Sequence, residues 1–139
     1  MKKLTNKKGF TLIEMLVVIA IIAVLVAIII PTVTSATAKA AAATNAANLR
    51  SYKAELVTSY LANGEEKLAD IEAPTPKEVG NCEESAVAVY VIGTDKDIDV
   101  WFVNGGTAGK NTTAPASNAF DIDYFANIAE NGLAAKSGT

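Results

Sequence analysis

Phe10 to Ile30 reads FTLIEMLVVIAIIAVLVAIII, 21 residues in which Glu14 is the only charge. A helix of that length rises about 31 Å, the hydrocarbon thickness of a bilayer. Lys2, Lys3, Lys7 and Lys8 precede it. They hold that end on the cytoplasmic side and place the residues after Pro31 outside. Residues 31–139 suffice for one compact domain. That stretch carries 8 basic against 14 acidic side chains. An acidic outer domain argues against phosphate-tracking nucleic-acid binding and is suited to solubility. There is no histidine and one cysteine, Cys82. His-dependent acid/base pairs, His or Cys-cluster metal sites and an intrachain disulfide are therefore excluded.

Three readings of the apolar run compete. It is a plain signal anchor, a cleaved secretory signal peptide, or a segment in which Glu14 has a task. Ala36-Thr37-Ala38 offers a secretory processing site. Against it, the run exceeds the roughly 7–15 residues of a secretory apolar region. A carboxylate in hydrocarbon costs about 2.5–3.5 kcal/mol at a helix centre and less near the interface. The run holds no basic residue to pair with it. Either the partner comes from elsewhere, as another chain, a headgroup or a new amino terminus, or Glu14 is shallow enough to reach water. It lies roughly 6 Å of helix beyond Phe10.

Lys7-Lys8-Gly9-Phe10-Thr11-Leu12-Ile13-Glu14, then an uninterrupted apolar stretch and Pro31, resembles the amino-terminal signature of type IV pilins and pilin-like proteins. The likeness covers residues 7–31. It implies that residues 1–9 are a leader cut after Gly9 by a prepilin peptidase on the cytoplasmic side. The same enzyme would N-methylate Phe10, the new amino terminus. Glu14 would then meet the positive amino terminus of a neighbouring copy during filament assembly. Opposite charges in a low-dielectric bundle attract strongly, and each is costly unpaired. Cleavage also strips the four leader lysines and so lowers the penalty for pulling the anchor out of the membrane.

Pro31 removes one helical hydrogen bond and kinks or loosens the turn without having to end the helix. Residues 32–63 are strongly helical in composition. Ala36 to Ala47 holds eight alanines in twelve residues. Alanine is the best helix former, and small side chains also permit close helix approach. Leu49, Tyr52, Leu56 and Tyr60, with Val57 and Leu61 beside them, form a stripe that covers a small sheet. Asn63-Gly64 is a helix stop. The spacing predicts one helix from about Phe10 to Asn63, with the polymerisation and membrane segment over 10–30 and the outer half over 31–63.

Residues 64–139 read as a small globular domain. A connecting loop over 64–85, with Pro74, Pro76 and Gly80 and with Glu65 to Asp70 able to hold a short turn of helix, leads to two β-branched runs, 86–92 and 98–103. Gly93 to Asp97 joins them with turn chemistry, predicting an antiparallel hairpin over 86–103. Residues 104–119 read as an exposed loop. Residues 121–130 fit a short helix with Ile122, Phe125, Ala126 and Ala129 on one face. The rival is a third strand in which Phe120, Ile122 and Tyr124 alternate. The fold class is α+β: a long amino-terminal helix whose outer half packs on a small antiparallel sheet.

Several apparent motifs fail. Asp95, Asp97 and Asp99 imitate the start of a calcium loop, but Val100 stands at the glycine position and Gly106 at the terminal glutamate. A hairpin turn with solvated carboxylates is the better reading. Gly105 to Lys110 imitates a phosphate loop one residue short, with Asn111 in the place of the Mg²⁺-binding hydroxyl. Asn111-Thr112-Thr113 matches a glycosylation pattern only. Cys82 reads as a free thiol or buried filler. Many pilins close their C-terminal region with a disulfide; this chain cannot, so packing must hold that region.

The sequence therefore points to a non-enzymatic structural subunit of a type IV pilus, needing no cofactor or metal and serving surface adhesion or motility. Its partners are further copies of itself, the peptidase/methylase, assembly machinery with a separate ATPase, and membrane lipid before assembly. It would sit as a single-pass cytoplasmic-membrane protein and then in an extracellular filament. A type II secretion or competence (DNA-uptake) pseudopilin is the nearest alternative. The chain lacks the Asp-Pro-Trp-Gly run frequent in the first, and its hairpin sets it apart from the second. From another class, a monomeric anchored or secreted binding module would begin at Met1 or near residue 39, where a pilin would begin at Phe10.

Overall fold

The computed structural model describes residues 9–115 and 117–133. The leader lysines Lys2, Lys3, Lys7 and Lys8 lie outside the described residues. Two units divide the chain, Met1–Thr34 and Ser35–Thr139. The elements in order are α1 (Leu12–Asn63), a 3₁₀ helix (Gly64–Asp70), β1 (Val87–Ile92), β2 (Ile98–Val103), β3 (Gly109–Asn111), β4 (Ala119–Phe120) and α2 (Ile122–Asn131).

Within the first unit α1 passes through Pro31. The Thr32 hydroxyl donates to the Ile29 carbonyl at 2.8 Å and the Thr34 hydroxyl to that of Pro31 at 3.1 Å. Hydroxyls bonded back to the preceding turn are compatible with helix around a proline. Every large apolar side chain from Phe10 to Val33 is exposed.

In the second unit the buried positions of α1 are Ala42, Asn45, Ala46, Leu49, Tyr52 and Leu56, spaced by three and four. They form one stripe that meets the inner face of the sheet. Val57 and Tyr60 pack at its margin, whereas Leu61 faces solvent. Asn45 is fully buried in this stripe. Its Oδ1 accepts from the Lys77 amide at 2.7 Å and its Nδ2 donates to the Lys77 carbonyl at 2.8 Å. One side chain thus gives the loop after the 3₁₀ helix both bonds of a strand partner, and a buried amide needs such partners.

The sheet order is β3-β1-β2-β4. β1 and β2 form the predicted hairpin, with Ile92 opposite Ile98. Its turn bonds the Gly93 amide to the Asp97 carbonyl at 2.8 Å and the Lys96 amide to the Gly93 carbonyl at 3.0 Å. Lys96 has φ 66°, the left-handed position of a three-residue hairpin loop. β4 is antiparallel to β2, but β3 runs parallel to β1. The sheet is thus mixed, where the sequence pointed to an antiparallel one. β3 lies within the stretch read as loop because Gly109-Lys110-Asn111 carries no apolar alternation; only backbone pairing makes it a strand.

The helix reading of 121–130 is the one the structure adopts. Asp121 caps α2 by accepting from the Tyr124 amide at 2.7 Å. The Gly132 amide closes the far end on the Ile128 carbonyl at 2.8 Å, with φ 81° at Gly132. The Lys39 ammonium donates to the Glu130 carbonyl at 3.1 Å, a cation at a helix C-terminus. Phe125 and Ile128 are buried, and Phe125 meets Phe102 edge-on at 5.9 Å.

Phe102 is fully buried at the centre of this core. Phe102→Ala should cost about 3–5 kcal/mol, whereas Leu61→Ala on the exposed flank should change stability by under about 0.5 kcal/mol. Urea unfolding of the detergent-solubilised chain, followed by the fluorescence of its single tryptophan, Trp101, checks both.

Candidate functional site

Gly9 and Phe10 are exposed, and no atom of the described residues lies within 4 Å of the position a Cβ on Gly9 would take. Two residues on, Thr11 stands immediately before the first helical residue, Leu12. Its hydroxyl accepts from the Glu14 amide at 3.3 Å. Glu14 Oε2 in turn accepts from the Thr11 amide at 2.7 Å and from the Thr11 hydroxyl at 2.9 Å. These reciprocal bonds are a capping box, which satisfies amides that have no partner within the helix.

The sequence alone offered Glu14 no partner within the apolar run. The structure gives it one, Thr11 of its own chain. The signal was present: a threonine, two residues, then a glutamate, directly before an apolar run. Both bonds from Thr11 go to Oε2, and no bond to Oε1 is found among the described residues.

Beyond Glu14 no part of the apolar stretch is buried, and the helix is long and apolar enough to cross a membrane. Pro31 falls at its outer end, inside the helix. Gly9, Phe10, Glu14 and Pro31 all belong to this one segment.

The other sequence candidates have ordinary structural places. Lys53 lies 3.3 Å from Asp99 Oδ1 and 3.6 Å from Asp97 Oδ1. Asp95 Oδ1 accepts from the Asp97 amide at 3.4 Å. Those three carboxylates are thus engaged in closing the hairpin and tying it to α1. Lys110 of the phosphate-loop imitation sits in β3 and pairs with Glu65 at 2.6 Å. That bond raises the ammonium pKa above its ordinary value. Cys82 is buried beside the Val79–Cys82 bridge. Burial, then the nearby Glu83 charge, pushes its thiol up to about 11.

Residues 4–30 match a family model described as the prokaryotic N-terminal methylation motif. The chain carries the type IV prepilin-like signal. That motif implies processing by a prepilin peptidase and assembly into pilus-like systems, and its family is structural rather than enzymatic. Together with the long apolar helix it fits anchoring in a membrane. No curated protein and no solved structure matches the chain.

A thiol held protonated to about pH 11 is a poor nucleophile at neutral pH. Iodoacetamide at pH 8 should label Cys82 in urea and leave it unlabelled in the folded chain. In the unfolded chain the thiol ionises near pH 8.5, roughly its free value. The protonated, buried thiol therefore stabilises the fold fully below that pH, and the contribution is lost as pH climbs toward 11. Urea midpoints measured from pH 8 to 11 should fall less steeply in Cys82→Ala.

Proposed function

We propose that this chain is the precursor of a type IV pilus subunit. Residues 1–9 are its leader, cut between Gly9 and Phe10, and Phe10 is then N-methylated. Residues 10–30 hold the subunit in the cytoplasmic membrane until a separate ATPase-driven machinery extracts it. The same residues then pack against other copies in an extracellular filament that serves adhesion or twitching motility. Pro31 lets the helix bend between this segment and the outer half, 31–63, which carries the domain 64–139. The observation that supports the reading best is the methylation motif running directly into a helix whose apolar side chains are all uncovered. Lipid covers such a surface first; neighbouring helices cover it afterwards.

Glu14 has two separable tasks in this scheme. Its hydrogen bonds with Thr11 cap the helix. Its negative charge receives the methylated amino terminus of the next subunit. A glutamine at this position retains the first task and loses the second, because Gln also completes a capping box. Glu14→Gln should therefore insert and be cleaved normally, yet add to a filament with about 3–5 kcal/mol less stabilisation, the cost of removing one partner from a buried charge pair. Mass spectrometry of the cell-associated subunit and electron microscopy of sheared filaments test this. A correctly cleaved subunit with few filaments is the expected result; normal filament yield contradicts the charge pairing.

A further inference from the structure

Tyr52 of α1 and Tyr90 of β1 are 3% and 4% exposed. Their rings meet edge to face, with 6.4 Å between centroids and 73° between planes. The rings belong to the core, but the core leaves their hydroxyls unexplained. Neither hydroxyl has a hydrogen-bond partner among the described residues. Every polar side-chain atom of those residues that is sealed from solvent does have a partner, so these two hydroxyls border open space. Both tyrosines line one cavity of about 300 Å³, set between α1, the 3₁₀ helix and the β1–β3 pair. Buried polar groups are almost always hydrogen-bonded, and an orphaned pair of them needs a cause.

The rest of the lining says what kind of molecule fits. Leu68, Ile71 and Ala73 supply an apolar wall. Lys110 stands opposite Tyr90 in the parallel register, so the two side chains share one face of the sheet. Its ammonium pairs with Glu65 at 2.6 Å. Each charge offsets the other, and a guest meets no net charge there. A charged guest would lose its hydration without gaining a free counter-ion. Burial, then the neighbouring Tyr90, pushes the Tyr52 phenol up to about 12, and burial foremost raises that of Tyr90. Both phenols stay protonated at neutral pH, so each can donate or accept a hydrogen bond. The cavity is at the lower end of the roughly 300–1,000 Å³ of ligand pockets, which suits a guest of one or two rings.

We infer that this cavity binds a small, uncharged aromatic molecule with one polar edge group, an N–H or a hydroxyl. The guest's ring packs on the apolar wall and against the two tyrosine rings, which favour a further aromatic neighbour. Its edge group exchanges a hydrogen bond with the Tyr52 or Tyr90 hydroxyl. The cavity lies wholly in the second unit, and its binding does not rest on the filament reading.

Indole, 1-methylindole and indole-3-carboxylate separate the parts of this assignment. They share one ring system; the second lacks the N–H donor and the third carries a charge. Each is titrated into the full chain in detergent micelles, and the NMR signals of the Ala69 and Gly109 amides are followed, since both residues line the cavity. Uptake by the micelle would act on the apolar segment 10–33 and leave these amides alone. Indole should shift them saturably. 1-Methylindole should bind roughly three- to tenfold more weakly, the worth of one hydrogen bond. Indole-3-carboxylate should bind more weakly than indole. The Tyr52→Phe/Tyr90→Phe double variant keeps both rings and removes both hydroxyls. It should lower indole to the affinity of 1-methylindole and leave 1-methylindole unchanged. No saturable shift with indole overturns the site. Equal binding of indole and 1-methylindole to the unaltered chain, or an unchanged indole affinity in the double variant, overturns the role of the hydroxyls. Tighter binding of the carboxylate overturns the assignment to an uncharged guest.

Discussion

The first half of α1 presents an apolar surface that its own chain does not cover. Apolar surface in water is unfavourable in proportion to its area, at about 25 cal/mol per Å². Every large side chain from Phe10 to Val33 carries that cost. A bilayer removes it, and so does a bundle of like helices. The capping box at Thr11 and Glu14 suits both settings. It closes the Thr11 and Glu14 amides on the chain itself, which matters most where water is scarce. It also keeps the one charge of the segment solvated by hydrogen bonds from Thr11.

The second half of the same helix solves the opposite problem. Its stripe from Ala42 to Leu56 is covered by the sheet and its neighbours. Without a disulfide, the connecting segments are pinned by polar side chains acting as backbone substitutes. Asn45 holds Lys77. Asn104 takes the Glu83 amide at 3.0 Å and donates to the Asn81 carbonyl at 2.7 Å. The Tyr124 hydroxyl accepts from the Asn81 amide at 3.1 Å. At Gly80, with φ 62°, a Cβ would lie 2.5 Å from that hydroxyl, so the close approach requires glycine. Each pin joins segments distant in sequence, as a disulfide would, and each weakens as water gains access to it.

How much could be read from the residues depends on how local each cause is. The helix to Asn63, its buried stripe, the hairpin and the capped α2 all rest on periodicity or on turn and cap chemistry within a few residues. β3 could not be seen, because its strand character comes from β1 across the chain. Nor could Asn45, an amide in an alanine-rich stretch whose partner is 32 residues away. At the amino-terminal segment the order was reversed. Glu14 stood out by its charge, but its capping role was legible in Thr11-Leu12-Ile13-Glu14 and was masked by the more conspicuous question of an outside partner. The methylation motif was legible because it is a processing signal, written as consecutive residues rather than as a surface assembled by folding.

In the proposed scheme the uncovered helix surface passes from lipid to sister helices once the leader is gone. Intact-mass measurement of surface material sheared from the producing cells, paired with electron microscopy of the same sample, tests this transfer. Thin filaments built from a chain that starts at Phe10 and carries one added methyl group are the predicted result. A chain that still starts at Met1, found only as dispersed molecules and never in fibres, would contradict it.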